Sequence, residues 1–233
     1  MSDRWRDIWS ARVLDSTAPA TLSDLMAADG LDTGFGSVGE QAWSAFVHSI
    51  AERLGLGSTS TVFEVGCGAG AFLHPLISLG VEVSGLDFSP TLIDIARNTF
   101  PGADLNVAHA HELAATPQVD VVLSMGVFLY FDSTDYAWQV LAQMASKARR
   151  AVAILDIPDA ATAVESLAHR QAVVGGPEAY AQRYAGLDHL HYKQADVLEA
   201  MRAAGLTDVT CEPQSIPGYA NSAFRFNAFG WVA

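Results

Sequence analysis

Glu64, Gly66, Gly68 and Gly70 stand at alternate positions in "VFEVGCGAGA", residues 62–71. Glycines so spaced let a backbone close on a ligand, because a Cβ there would hold it away. The same letters admit two chemistries. Taken through Gly66, Gly68 and Ala71, they fit the G-x-G-x-x-G/A turn that cradles a dinucleotide pyrophosphate. Taken through Glu64 and the three glycines, they fit a loop for a cofactor that bears an ammonium group and a sulfonium. A carboxylate at the strand end suits such a cation and has no evident use beside a pyrophosphate. The first pattern leads to hydride transfer and the second to methyl transfer. Asp87, in "GLDFSP", is a further acid at the end of the next strand. It can accept both hydroxyls of a ribose, which either cofactor would carry, so it does not choose between them.

Three other groups could do chemistry. "AHAHEL", Ala108 to Leu113, pairs His109 with His111, and on a strand both would point to one face. Metal binding, pocket lining and plain surface all remain open there, although no third ligand follows at metal spacing. "DHLHY", Asp188 to Tyr192, holds a second pair. His189 or His191 could take a proton from an acceptor hydroxyl, because an unperturbed imidazole titrates near neutral pH. The alternative is a loop histidine with a structural hydrogen bond. "PGYANSAFRFNAF" carries Tyr219, Asn221, Arg225 and Asn227. Arg225 could bind a carboxylate or phosphate, or be an edge-strand arginine paired with one of the excess acids.

These residues need a scaffold, and the chain supplies alternating signals for one. "TVFEV", "VEVSGLD", "ADLNVAHA", "VDVVLSM" and "RAVAILDI" read as five buried strands. Between them lie helical stretches. In one of these, "SPTLIDIARNTF", Ser89 is the N-cap and Pro90 the first helical residue. Apolar strands alternating with helices predict a parallel sheet covered on both faces. After Pro158 come the helical stretch "ATAVESLAHRQAVV", a break at "GGP", the loop "YAGLDHLHYK" and the helix "QADVLEAMRAAG". The last two strands, "LTDVTCEP" and "SAFRFNAFGWV", are joined by too short a link for a crossover helix, so they must pair as a hairpin. The first forty residues give helical lead-in, and "GLDTGFGSVG" then reads as a glycine-rich loop. "LDTGFGSVGEQAW", with Asp32 and Glu40, is either a mobile lid or a solvent linker.

Bulk properties narrow the partners. The 233 residues are half apolar, enough for one sizeable core, and one domain is expected over 1–233. Its parts are a helical cap or lid at 1–57, a cofactor-binding half at 58–158 and an acceptor-side half at 159–233. The formal net charge of −13 disfavours nucleic acid, which needs clustered Lys and Arg. No apolar run is long enough for a membrane span, and the N-terminus lacks the apolar run of a secretory signal. Cys67 and Cys211, far apart in sequence, suggest no disulfide framework and a cytoplasmic location.

Taken together, the chain resembles the class I S-adenosylmethionine-dependent methyltransferases over about residues 40 to 233. "EVGCGAG" is similar to their first motif, "GLDFSP" to their second, and "VDVVLSMGVFLYF" to their fourth strand and substrate-side loop. The terminal hairpin is similar to their sixth and seventh strands. The resemblance implies a Rossmann-like, doubly wound α/β fold. Its sheet has seven mostly parallel strands and an antiparallel C-terminal hairpin, with an N-terminal helical cap. It also implies S-adenosyl-L-methionine as cofactor, held by Glu64, Gly66, Cys67, Gly68, Gly70, Asp87, Phe88, His109, Ala110 and Ser124. His109 stands where relatives often place an acid toward the adenine. Relatives build the acceptor pocket from the region before the sixth strand and from the N-terminal helices. That makes Phe128, Tyr130, Tyr219, Asn221 and Arg225 substrate-side candidates, and His189 and His191 catalytic ones. The acceptor is expected to be a small molecule methylated on oxygen, with no metal and no membrane, and homodimerisation is left open. The competing readings are an NAD(P)-dependent oxidoreductase and a catalytically silent cofactor-binding subunit.

Overall fold

The computed structural model describes residues 3–14, 19–31 and 38–233. Its strands are β1 (Thr61–Val65), β2 (Glu82–Asp87), β3 (Asp104–Val107), β4 (Val119–Met125), β5 (Ala148–Pro158), β6 (Leu206–Pro213) and β7 (Arg225–Val232). Its helices are α1 (Asp3–Ser10), α2 (Leu22–Ala28), α3 (Glu40–Arg53), α4 (Leu73–Ser78), α5 (Pro90–Thr99), α6 (Thr134–Lys147), α7 (Ala163–Val173), α8 (Pro177–Tyr184) and α9 (Gln194–Ala203). The seven strands form one sheet in the order β3-β2-β1-β4-β5-β7-β6. β1 to β5 run parallel, and β7 lies antiparallel between β5 and β6. The expected hairpin forms, with its second strand inserted rather than at the edge.

Period-two alternation splits the strands between two cores. Val121 and Leu123 of β4 and Ala151, Ala153 and Leu155 of β5 face one side, with Trp43, Phe46 and Ile50 of α3 and Leu73 and Leu76 of α4. Val122, Val152 and Ile154 face the other, with Val140, Leu141 and Met144 of α6 and Val197 and Met201 of α9. Each of the larger side chains taken from water is worth roughly 1.5–3 kcal/mol, which orders short helices that would not hold alone. Local signals fix where helices start. Ser89 accepts from the Leu92 N–H at 3.4 Å, with Pro90 at the first position of α5. Thr21 and Asp24 close a capping box on α2.

Two expectations are corrected and one gap is filled. β3 ends at Val107, so His109 and His111 lie not on a strand but on a turn ending in a 3-10 segment, Ala110–Glu112. α8 fills the stretch between the break at Gly-Gly-Pro and the loop, to which no element was assigned: Gly176 at φ 119° caps it and Pro177 starts it. A proline that cannot continue one helix is well suited to begin another. Arg225 opens an interior strand, not an edge strand. Asp32 and most of the glycine-rich loop lie outside the described residues. Among the described residues no helix is long and apolar enough to cross a membrane.

Candidate active site

The chain winds outward from β1 in one direction as far as β3 and then turns back to β4, so the switch point lies between β1 and β4. Ligands of such sheets bind beyond the strand ends at that point. A cavity of about 760 Å³ opens there, reaching from the glycine loop to the ends of β5 and β7.

The glycine loop is tied to the sheet by the Gly66 and Cys67 N–H groups, which both donate to Leu86 O at 2.8 and 2.9 Å. Gly66 and Gly68 have φ of 76° and 54°, a region that costs other residues energy. A Cβ on Gly68 would also collide with the Asp29 carboxylate. Asp29, the C-cap of α2, accepts from Ala69 N at 2.7 Å and Ala71 N at 2.9 Å. Trp43 of α3 adds a bond from its indole to Ala71 O at 2.8 Å. The helical cap is therefore fastened to the loop itself. Asp87 accepts from Gly68 N at 3.1 Å and Ser89 N at 2.8 Å. Glu64 is buried beside them, and its Oε2 has no hydrogen-bond partner in the protein.

Burial sets the charge of these acids. It pushes Asp29 up to about 7 and Asp87 up to about 6, against backbone N–H groups that pull both down. Glu64 rises well above the usual carboxylate range, through burial first and then through repulsion from Asp29 and Asp87. Three buried carboxylates around one loop are costly alone and favourable around a cation. The donor set thus fits an ammonium-bearing sulfonium.

The other end of the cavity is built on strained backbone. Asp156 has φ 60° where the β5–β7 register shifts between Ile154 and Ile157. Its N–H donates to Asn227 Oδ1 at 3.0 Å, and its carboxylate accepts from Gln214 Nε2 at 2.7 Å and Tyr219 OH at 3.1 Å. Arg225 Nε stands 3.8 Å from the same carboxylate, and Arg225 Nη1 has no hydrogen-bond partner in the protein. Trp5 of α1 stacks on His189 at 5.2 Å and meets Tyr130 edge-on at 4.7 Å. Arg170 of α7 donates to His189 Nδ1 at 2.9 Å. Because a guanidinium only donates, Nδ1 is the acceptor and the neutral ring carries its proton on Nε2. Burial and the charges of Arg170 and Arg225 hold this imidazole well below its usual range. His189 is thus a neutral ring with a buried N–H, which does not suit the expected role of proton acceptor.

Most of the residues singled out from the sequence meet at this cavity: Glu64, Gly66, Cys67, Gly68, Asp87, Phe88, His109, Ala110, Tyr130, His189, Tyr219, Asn221 and Arg225 all line it. Four others do not. The Ser124 hydroxyl donates to Val65 O at 2.8 Å and so ties β4 to β1. Gly70 makes room for the Phe100 ring. Phe128 is core, packed on Phe131 and Tyr192. His191 bonds back to His189 O at 3.0 Å. Asp29, Trp5, Trp9 and Arg170 also line the cavity, and no motif pointed to them. Asp29 looks like any residue at a helix end, and the others lie on helices that read as packing elements.

Residues 63–151 match the family model described as a methyltransferase domain. The ubiquinone biosynthesis O-methyltransferase of Sinorhizobium fredii is 33% identical over 88 residues, 36% of this chain and 36% of that protein. The magnesium-protoporphyrin O-methyltransferase of Rhodobacter capsulatus is 30% identical over 104 residues, 43% of this chain and 46% of that protein. The matches thus span less than half the length of these curated relatives. Among solved structures, an S-adenosylmethionine-dependent methyltransferase from Clostridium acetobutylicum superposes with a TM-score of 0.64 at 11% identity, covering 91% of this chain and all of that one. Magnesium protoporphyrin IX methyltransferase from Synechocystis, solved with S-adenosylhomocysteine bound, gives a TM-score of 0.59 at 17% identity, over 99% of this chain and 93% of that one. The resemblance to class I methyltransferases read from the motifs is borne out, and so is the doubly wound fold with its antiparallel end.

Proposed function

We propose that this protein transfers the methyl group of S-adenosyl-L-methionine to an oxygen of a small-molecule acceptor. The observation that carries the reading is the buried acid set around the glycine loop, above all the unpartnered Glu64 Oε2, at the switch point of a methyltransferase-like sheet. The relatives named above are O-methyltransferases of small molecules, which supports the choice of oxygen. A bound cofactor would supply an electrophilic methyl group on a cationic sulfur.

The chain's own residues would do the rest. Gly66, Cys67 and Gly68 let the backbone approach, and Asp87 accepts ribose hydroxyls on lone pairs left by its two N–H bonds. Glu64 faces the ammonium, while Phe88, His109 and Ala110 border the base. Methyl transfer is an in-line displacement, so holding the acceptor oxygen in line can supply much of the rate. Tyr130, Tyr219, Asn221 and Arg225 hold the acceptor on the far side, where residues 159–233 meet the cap. The size of the cavity and the net charge of −13 favour a small acceptor over nucleic acid. The two free cysteines suit a reducing cytoplasm.

Calorimetry with S-adenosylhomocysteine and with NADH tests the reading. Binding of the first and not the second is expected, and the reverse result sinks it. Asp87→Ala should weaken S-adenosylhomocysteine more than tenfold, in keeping with a lost charge-assisted contact of about 1.5–3 kcal/mol. Unchanged affinity removes Asp87 from the site.

A further inference from the structure

We infer that the acceptor is a carboxylic acid with a flat skeleton, its carboxylate held by the Arg225 guanidinium and the His189 ring N–H. The inference rests on the methyl-transfer reading for the word acceptor, but the anion site stands on its own geometry. Buried polar atoms are almost always hydrogen-bonded, and each exception calls for a cause. Among the described residues, Trp9 Nε1, Glu64 Oε2, His189 Nε2, Asn221 Oδ1 and Arg225 Nη1 are buried without partners and belong to residues that line this one cavity. Glu64 lies at the glycine-loop end. His189 and Arg225 lie at the other.

What they lack is an acceptor. Arg225 is a cation with 7% of its surface exposed. The acid nearest to it cannot serve fully, because Asp156 gives one oxygen to Gln214 and the other to Tyr219 and stands 3.8 Å from Arg225 Nε. Its Nη1 is left without a partner. His189 is fixed as a donor on Nε2 by the Arg170 bond to Nδ1. Its ring feels the charges of both Arg170 and Arg225, so the three side chains form one positive corner. A neutral ligand would leave a buried guanidinium N–H and an imidazole N–H each with weak partners. A carboxylate offers two oxygens in one plane, which matches a guanidinium fork and one further donor. The walls beside this corner are the rings of Trp5 and Tyr130, which favour a flat skeleton.

The test compares acids with their neutral amides on the full chain. Benzoate, phenylacetate and cinnamate, each beside its amide, are titrated by calorimetry with and without S-adenosylhomocysteine. At least one acid should bind ten or more times more tightly than its amide. Arg225→Gln should abolish that preference, and Arg225→Lys should keep part of it. His189→Gln, which retains a donor, should keep more of it than His189→Leu. S-adenosylhomocysteine affinity within threefold of wild type shows that Arg225→Gln has folded, since Arg225 lies at the other end of the cavity. Equal binding of every acid and its amide overturns the inference. So does failure of every acid to bind at millimolar concentration, or a preference that survives in Arg225→Gln. Loss of S-adenosylhomocysteine binding by the wild type would sink the methyl-transfer reading instead, and the acid–amide comparison without it would still decide the anion site.

Discussion

Asp29 and Asp87 keep their protons to about pH 7 and about pH 6 because burial costs their charged forms more than backbone N–H groups return. The sign for stability follows. The folded chain binds protons that the unfolded chain, with ordinary carboxylates, has lost, so cofactor-free stability falls as pH rises from about 4 to about 7. Thermal unfolding across that window should show the fall, and Asp29→Asn should lessen it, with Asp87 and Glu64 carrying the remainder. A slope of unchanged size in Asp29→Asn would mean that other groups carry the effect. A cation in the site favours the ionised acids, so cofactor binding near pH 6.5 should release protons, measurable by calorimetry in buffers of different ionisation enthalpy. The motif residues were legible in the sequence because their spacing is local. Asp29 was not, because its partners Ala69 and Ala71 lie some forty residues away.

Elements carry signals of different quality. The glycine loop announces itself, since its backbone needs φ that only glycine adopts cheaply. Gly68→Ala should therefore cost about 1–3 kcal/mol in strain, and more where the new methyl meets Asp29. A chemical melt that matched wild type would contradict this. The cap of α5 is equally plain, and Ser89→Ala should destabilise by about 1 kcal/mol, read as a lower denaturant midpoint at unchanged slope. α7 misleads. Its apolar Val164 and Leu167 are 79% and 44% exposed, while Ser166 and Arg170 are each 8% exposed. α7 turns Arg170 inward to the cavity, so amphipathic spacing points the wrong way. α8 misleads differently, because Gly-Gly-Pro serves both as a stop and as a start.

At the scale of the molecule, the alternation of strands and helices fixed the parallel sheet, and the switch point between β1 and β4 placed the cavity. The acceptor corner could not be read the same way. Trp5, Arg170, His189 and Arg225 come from α1, α7, a loop and β7, and only the fold brings them together. No spacing rule links residues that distant.

The carboxylate of Asp29 also makes two amides into a gauge. The N–H groups of Ala69 and Ala71 are held by a side chain of the cap, not by the sheet. Their hydrogen exchange should report each departure of α2 from the loop, while the Gly66 and Cys67 amides, held by Leu86, record the slower opening of the sheet. Four neighbouring peptide groups would then time two separate motions in one experiment.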